Sequence, residues 1–156
     1  MASTTPNVLP IVLAEREEIQ VEITRLLEVF FQDKIAKAYD YLPSSMGGRS
    51  PVVATYMAGT GRERAAAGRR VMRSHRCQIY TYALYSLPNS TVFTEKSAQK
   101  ALNKLSDGLD EFIKLYNYHE GFWMSLEFEE FSVVDVMKIP DGQYFMEVTP
   151  IRVNQM

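Results

Sequence analysis

The run from Arg76 to Leu87, RCQIYTYALYSL, limits the possible folds of this chain more than any other part of the sequence. Its residues alternate between two sides of an extended backbone, and strand-forming residues such as tyrosine, isoleucine and threonine are common among them. One side carries Cys77, Ile79, Thr81, Ala83 and Tyr85. This pattern predicts a β-strand, so the fold must include a sheet.

Four further segments are expected to supply the other strands. Segments 35–43 and 52–58 each predict a short strand, and a loop rich in Ser, Gly and Pro separates them. The alternating run 122–139 predicts one bent strand or two, and 144–153 predicts a last strand after the turn PDGQ. Pro150 favours an edge position or a bulge in that last strand.

Two segments have the periodicity of amphipathic helices. The first runs from about Ile11 to Phe31, and the second begins after Thr94, which is a suitable N-cap, and contains Gly108. The apolar face of the first is Val12, Ile19, Ile23, Leu26, Leu27 and Phe30. That of the second is Ala98, Ala101, Leu102, Leu105, Leu109, Phe112, Ile113 and Tyr116.

The order of these elements predicts an α+β fold. A mostly antiparallel sheet of about four to five strands is expected, with two amphipathic helices covering one face. The length of 156 residues favours a single domain, here residues 10–156, after a flexible N-terminal arm of residues 1–9. Residues 59–76 are expected to project as an Arg-rich loop between the second and third strands.

Composition excludes several classes of protein. Hydrophobic residues make up 46% of the chain and charged residues 23%, which is typical of a globular protein and not of a disordered one. The single cysteine, Cys77, excludes an internal disulfide framework and a CxxC metal site. No apolar run approaches the roughly 20 residues that span a bilayer, and the first residues lack the basic region of a signal peptide. We therefore expect a cytoplasmic protein with no membrane partner.

The segment GTGRERAAAGRRVMRSHR, residues 59–76, concentrates positive charge. Between Arg62 and Arg76, six arginines and one glutamate give +5, whereas the other 11 basic and 18 acidic residues give −7. Such a segment suits a target of opposite charge, and the acidic remainder of the same protein is one. The candidate site residues are Arg62, Arg64, Arg69, Arg70, Arg73 and Arg76.

Four interpretations of this segment differ in the partner. A nucleotide loop is disfavoured, because no P-loop motif is present and Arg64 stands where a dinucleotide fingerprint needs Gly or Ala. Nucleic acid is an alternative, since arginine binds phosphate with a bidentate fork, although the isoelectric point near 5.7 is acidic. A solvated loop with no specific partner is another. Arginine is enriched at protein interfaces and lysine is not, which favours an arm that joins subunits.

The sequence predicts no catalytic, cofactor or metal site. His75 and His119 are far apart and no HExxH motif is present. His75 shares a strand face with Cys77, but a buried structural thiol is favoured over a reactive pair, and neighbouring arginines are expected to lower the pKa of His75. The carboxylates of the following strand, which favour a solvated surface, are Glu127, Glu129 and Glu130.

The order of segments resembles that of the tail terminator, or tail completion, proteins of long-tailed bacteriophages. The resemblance covers nearly the whole chain and rests on the order of elements, with no fixed motif. The segments that carry it are EREEIQVEITRLLEVFF, AKAYDYLP, PVVATYM, CQIYTYALYS, GFWMSLEFEEF, PDGQ and YFMEVTPIRV. Neck and head-completion proteins, which also join heads to tails, share this order.

The resemblance implies a structural virion protein with no enzymatic activity and no cofactor. Its subunits would form a ring, hexameric in the family, that caps the tail tube. Implied partners are other copies of the chain, the major tail tube protein, and connector or neck proteins. Assembly would take place in the host cytoplasm, and DNA in the lumen would contact the arginine loop transiently. A nucleic-acid-binding module that uses the same loop is the alternative function.

Overall fold

The structure, a computed structural model, describes residues 14–64, 71–87, 91–140 and 142–155. Its elements are α1 (Arg16–Phe30), β1 (Lys37–Tyr39), β2 (Val52–Arg64), β3 (Val71–Ser86), α2 (Glu95–Leu115), β4 (Ser125–Phe128), β5 (Val133–Ile139) and β6 (Gly142–Gln155). The predicted α+β class is confirmed: two helices accompany one mixed, mostly antiparallel sheet. The sheet has six strands among the described residues and not four to five, because the run 122–139 forms two separate strands.

β3 and β6 form the centre of the sheet. The strand order is β1–β2–β3–β6–β4, and β5 also pairs with β6. β1 is parallel to β2, whereas the other pairs are antiparallel. β6 therefore has β3 along one side, and β5 followed by β4 along the other.

Both faces of the sheet carry a buried apolar cluster. On the face towards the helices, here called the helix face, Ile79 and Ile151 pack with helix residues such as Phe112. On the opposite, outer face, Tyr82 and Tyr144 pack in a second cluster that includes Met46, from the loop between β1 and β2. The prediction of a sheet covered on one face only is therefore wrong, because this loop covers part of the other face.

α1 begins later than predicted. Its first residue is Arg16 and not Ile11, because the Glu18 carboxylate accepts a hydrogen bond from the Glu15 backbone N–H (2.9 Å) and so caps the helix at this point. Residues 11–13 of the predicted helix lie outside the described residues. The predicted boundary between arm and domain, at residues 9 and 10, lies outside them as well.

α2 begins where predicted, with Thr94 as its N-cap. The Thr94 hydroxyl accepts a hydrogen bond from the Ser97 N–H (3.1 Å), and the Ser97 hydroxyl accepts one from the Thr94 N–H (3.0 Å). Inside the helix, Gly108 lies against the buried ring of Phe31, and a Cβ atom there would be 2.5 Å from Phe31 Cε1. The absence of a side chain at Gly108 therefore leaves room for the Phe31 ring in the core.

Pro150 lies inside the central strand β6 and not at an edge of the sheet, contrary to the prediction. Its carbonyl accepts a hydrogen bond from the Glu129 N–H (3.1 Å), so both its carbonyl and its nitrogen point away from β3. On that side β4 ends at Phe128 and β5 begins at Val133. Proline is tolerated because its missing N–H falls where the neighbouring strand is interrupted.

The arginine segment is β-structure over most of its described length. β2 continues through 59–64 and β3 begins at Val71, so the predicted loop over 59–76 is wrong for these stretches. Glycine and alanine are poor strand formers, but the ladder between the two strands overrides this weak propensity. From Arg73 onwards β3 is also paired with β6, so this stretch belongs to the body of the sheet.

Candidate functional site

The register between β2 and β3 divides the predicted site arginines between the two faces of the sheet. On the helix face Arg62 lies opposite Arg73, and on the outer face Arg76 lies opposite Gly59. The other predicted site residues are Arg64, the last residue of β2, and Arg69 and Arg70, which lie outside the described residues. Arg62, Arg73 and Arg76, whose side chains the structure describes, therefore lie in two separate environments and not in one patch.

On the outer face, the arginines are paired with carboxylates of the same chain. Arg76 Nη2 lies 3.2 Å from Glu129 Oε2, and Arg152 Nη2 lies 2.5 Å from Glu127 Oε2. The hydrogen bond from Arg152 lowers the pKa of the Glu127 carboxyl. Both arginines border a groove of about 310 Å³ that Gly59 also lines. Two residues of the predicted carboxylate cluster thus form ion pairs with these two arginines.

On the helix face, an arginine from α1 joins the two from the sheet. Arg16 Nη1 donates a hydrogen bond to the Thr60 hydroxyl (3.2 Å), and Arg73 Nη2 donates one to the Ala14 carbonyl (3.3 Å). Arg62 lies beside Arg73 in the ladder and is exposed. We call Arg16, Arg62 and Arg73 the arginine cluster.

The arginine cluster has no carboxylate partner in the described part of the chain. The ion pairs found there involve other residues. Residues 1–13 and 65–70, which precede and interrupt this part of the sequence, contain no Asp or Glu. Glu63 directly follows Arg62 in β2, but it points to the outer face, opposite Met72. Within the described residues, the positive charge of the cluster is therefore not neutralised by an ion pair.

A directional chain of hydrogen bonds runs from the arginine cluster through the buried ring of His75. Gln155 Nε2 donates to the carbonyl oxygens of Ala14 (3.1 Å) and Phe122 (2.7 Å). Gln155 Oε1 therefore accepts from His75 Nε2 (2.7 Å), and His75 Nδ1 accepts from the Thr60 hydroxyl (2.9 Å). That hydroxyl in turn accepts from the cluster. The arrangement satisfies every group when the imidazole is neutral.

The pKa of His75 is lowered, and burial is the main cause. The hydrogen bond to Gln155 opposes the shift, whereas the charges of the arginine cluster add to it. The predicted effect of neighbouring arginines is right in direction, but it is the smaller cause. At neutral pH His75 is therefore a neutral link in the hydrogen-bond chain.

His75 and Cys77 do not form a nucleophile–base pair. They share the helix face, as predicted, and the buried position of the Cys77 thiol is confirmed. Burial raises the pKa of this thiol to about 12, so it stays protonated at neutral pH. Both ring nitrogens of His75 are already bonded, to Thr60 and Gln155.

A second polar cluster links α1 to the turn that follows α2. Glu22 lies 2.7 Å from Arg25 and 2.5 Å from Nε2 of His119. The hydrogen bond from Arg25 is the largest cause of the lowered pKa of Glu22, and His119 adds to it. The imidazole of His119 also stacks on Phe122 and contacts the edge of the buried Trp123. The three polar groups satisfy one another, which suits a structural link.

Sequence reasoning does not single out three members of this end of the sheet: Arg16, Arg152 and Gln155. Gln155 has a detectable signal, because strand alternation places it on the same face as the apolar Ile151 and Val153. Arg16 has no such signal, since its position depends on how α1 packs across β2. The same alternation places Arg152 on the opposite face, but no local signal indicates its ion pair with Glu127.

A second distinctive surface is the β5 edge, defined as Phe131, Val133, Val134 and Val136. All four side chains are exposed, Phe131 by 93%, Val133 by 61% and Val134 by 60%. β5 pairs with β6 along one side, and no strand of the described residues pairs with its other side. Natural proteins normally protect edge strands with charge, proline or a covering element, and β5 carries the exposed charges of Asp135 and Lys138 beside its exposed valines.

Comparison with known proteins gives no further assignment. No protein-family model matches the sequence, and a search of curated proteins finds no significant match. In the ranges that the structure describes, no group of His, Cys, Asp and Glu side chains is arranged to hold a metal ion. Neither of the helices is long and apolar enough to cross a membrane, as far as the described residues extend.

Proposed function

We propose that this chain is a structural, ring-forming subunit of the tail terminator type. Its ring caps the tail tube of a long-tailed bacteriophage and joins the tail to the head. The observation that supports this proposal is the presence of two unlike interaction surfaces, the arginine cluster and the β5 edge. One is cationic, with no ion pair among the described residues, and the other is apolar, with no described strand paired to its outer side.

These two surfaces lie at different places on the sheet. Arg73, in the arginine cluster, is opposite Gln155 at one end of β6, whereas β5 begins opposite Val148, seven residues away, on the far side of that strand. If the arginine cluster contacted the same cluster of another subunit, like charges would come together. A symmetric two-fold contact through the arginine cluster is therefore unfavourable. Two different surfaces favour a head-to-tail contact, and such contacts close into rings.

The partners follow from this role. The chain outside residues 62–76 carries a net charge of −7, so a neighbouring copy offers the opposite charge that the cluster needs. The major tail tube protein and the connector or neck proteins meet the two faces of the ring. A neck or head-completion subunit is the same kind of protein, and binding to isolated tail tubes distinguishes a terminator from it.

The test is the mass of the purified protein by light scattering after size exclusion, over a concentration series at low and high salt. Negative-stain images of the same peak show whether the assembly is a ring. The informative variant combines Arg62→Ala and Arg73→Ala. The matched control combines Lys100→Ala and Lys104→Ala, which removes the same charge from exposed positions of α2.

We expect a ring that loosens in high salt, and a higher concentration for half-assembly in the arginine variant than in the lysine control. Surface charge pairs are screened by salt, which is the reason for the first expectation. A monomer at every concentration, both alone and mixed with tail tubes, would contradict the proposal. If the arginine variant and the lysine control assembled equally well, the arginine cluster would not be part of the contact between subunits.

A second candidate is a nucleic-acid-binding module, and it is favoured because the arginine cluster forms no ion pair among the described residues. Uncompensated arginines bind phosphate, and each phosphate contact steepens the dependence of affinity on salt. Titration of short duplex DNA with the isolated subunit tests this function. A steep salt dependence that the arginine variant reduces and the lysine control retains would favour it over the ring.

A further inference from the structure

We propose that the β5 edge is the docking site for residues 8–13 of a second copy of this chain, which add a strand beside β5. This inference rests on the proposed function, because it requires neighbouring copies, and it specifies one contact between them. It concerns the apolar surface of the subunit and is independent of the partner of the arginine cluster.

The β5 edge offers both the backbone and the side-chain requirements of an added strand. Its outer edge pairs with no other strand within the described ranges, so an added strand can form a ladder there once the Val136 N–H exchanges its present bond to the Asp135 carboxylate (2.7 Å). Val134 points to the helix face, where it borders a groove of about 270 Å³ that Leu102 and Phe145 also line. Val133 points to the outer face. The same groove is also lined by Gln99, Asn103, Ser106 and Glu147, so it can bury side chains of an added strand on the helix face.

The sequence of residues 8–13, VLPIVL, fits this edge. It is entirely apolar and carries no charge, and no residue of 1–13 is charged apart from the chain terminus. Its six residues are one fewer than the seven of β5, so the segment can pair along nearly the whole strand. An apolar segment of this kind needs a cover in water, and the β5 edge is an apolar surface that also needs one.

The same segment cannot reach β5 of its own chain. The carbonyl of Ala14 is held by Gln155 at one end of β6 (3.1 Å), and β5 begins opposite Val148, seven residues further along that strand. At about 3.3 Å per residue this separation is about 23 Å. Six extended residues span at most about 20 Å, so the whole segment would be used in crossing the gap. The occupant is therefore the segment of a neighbouring copy.

Pro10 defines how the strand is placed. Proline has no N–H to donate, so its backbone must face away from β5 and form the new outer edge of the sheet. Residues 9, 11 and 13 then direct their N–H and C=O groups towards β5, because successive residues alternate. Proline on the outer edge also blocks the addition of a further strand, which limits the contact to one segment per edge.

The test is site-specific crosslinking between copies of the full chain. One variant carries Ile11→Cys and an affinity tag, and the other carries Val134→Cys and no tag. They are mixed under assembling conditions and treated with a short bis-maleimide. The native Cys77 is fully buried and does not compete. The control replaces the second variant by Val29→Cys, an exposed valine (53%) on α1.

We expect a tagged product of dimer mass from the Ile11→Cys and Val134→Cys mixture, and at least about a tenfold lower yield from the control mixture. A chain that carries both substitutions should give a ladder of crosslinked oligomers. A crosslinked monomer in place of the ladder would overturn the inference, because the segment would then dock in its own chain.

A second variant, Val134→Asp, gives a measurement that does not depend on crosslinking. We expect it to raise the concentration for half-assembly by at least about tenfold, since it places a charge in an apolar contact. Rings that form normally with no crosslink and no effect of Val134→Asp would overturn the inference and leave the proposed function standing. A protein that never assembles would overturn both.

Discussion

The substitution Gln155→Leu removes the central member of the buried hydrogen-bond chain. The Gln155 side chain is 2% exposed and bonds to three groups: Nε2 of His75, the carbonyl of Ala14 and the carbonyl of Phe122. Leucine is of similar volume but bonds to none of them. The Ala14 carbonyl keeps a second donor in Arg73 (3.3 Å), so two groups lose their described side-chain partner, the buried Nε2 of His75 and the partly buried carbonyl of Phe122.

The magnitude follows from these two groups. A buried polar group that loses its partner costs about 1–3 kcal/mol. The added apolar burial of leucine offsets part of the loss, so we expect the free energy of unfolding to fall by about 3 kcal/mol. For a domain of this size, each kcal/mol corresponds to roughly 2–4 °C, so the melting temperature should fall by about 6–12 °C.

Urea unfolding followed by tryptophan fluorescence measures this change. The chain has one tryptophan, Trp123, which is buried beside Phe122, and circular dichroism of the helices provides an independent probe. Measurements in dilute protein keep assembly out of the equilibrium. The control Gln32→Leu alters an exposed glutamine and should stay within about 0.5 kcal/mol of the parent. If Gln155→Leu were as small in effect as the control, the chain of hydrogen bonds would contribute little to stability.

Three further predictions concern the core. Because the pKa of His75 is lowered in the folded state, the unfolded state binds more protons below about pH 6.5. The free energy of unfolding should therefore fall as the pH drops through this range. Urea titrations at several pH values should show a smaller dependence on pH for His75→Gln than for the parent. Cys77, with a pKa of about 12, should react with a thiol reagent only as fast as the protein unfolds, and fast labelling of the native state would contradict its burial. Gly108→Ala places a Cβ atom against Phe31. The cost of overpacking, about 1–3 kcal/mol, should exceed the gain of about 1 kcal/mol in helix propensity, so the protein should lose stability. Thermal melts should show a smaller loss of stability when Phe31→Leu is also present.

Signals confined to a few neighbouring residues predict this fold well. Thr94 and the apolar stripe that follows it define α2, because capping and helix periodicity act within one or two turns. The arginine segment is different. Its residues 59–64 are extended because they pair with β3, and no residue within the segment carries that information. Strand structure that depends on a partner distant in the sequence cannot be predicted from local sequence patterns.

Pro150 also shows the limit of local sequence patterns, because here a local pattern predicts the wrong position in the sheet. A proline in a strand normally indicates an edge, and β6 is instead a central strand. The exception depends on the interruption between β4 and β5 on one side of it, which is a property of the whole sheet.

The candidate site is likewise predictable only in part. The concentration of arginine identifies Arg62 and Arg73, which do lie together on one face. Charge counting cannot separate them from Arg76, which the register turns to the other face and next to Glu129. Arg16 comes from α1, 46 residues before Arg62 in the sequence, so only tertiary packing brings the two to the same end of the sheet.

The central position of β6 has a consequence for how a cell can make this protein. β6 is the last element in chain order, yet β3, β4 and β5 all pair with it. While a ribosome is still translating the preceding residues, these three strands lack their shared partner, and their apolar faces cannot close. The nascent chain therefore cannot complete its core one element at a time, and chaperone binding during synthesis would be needed most just before β6 emerges.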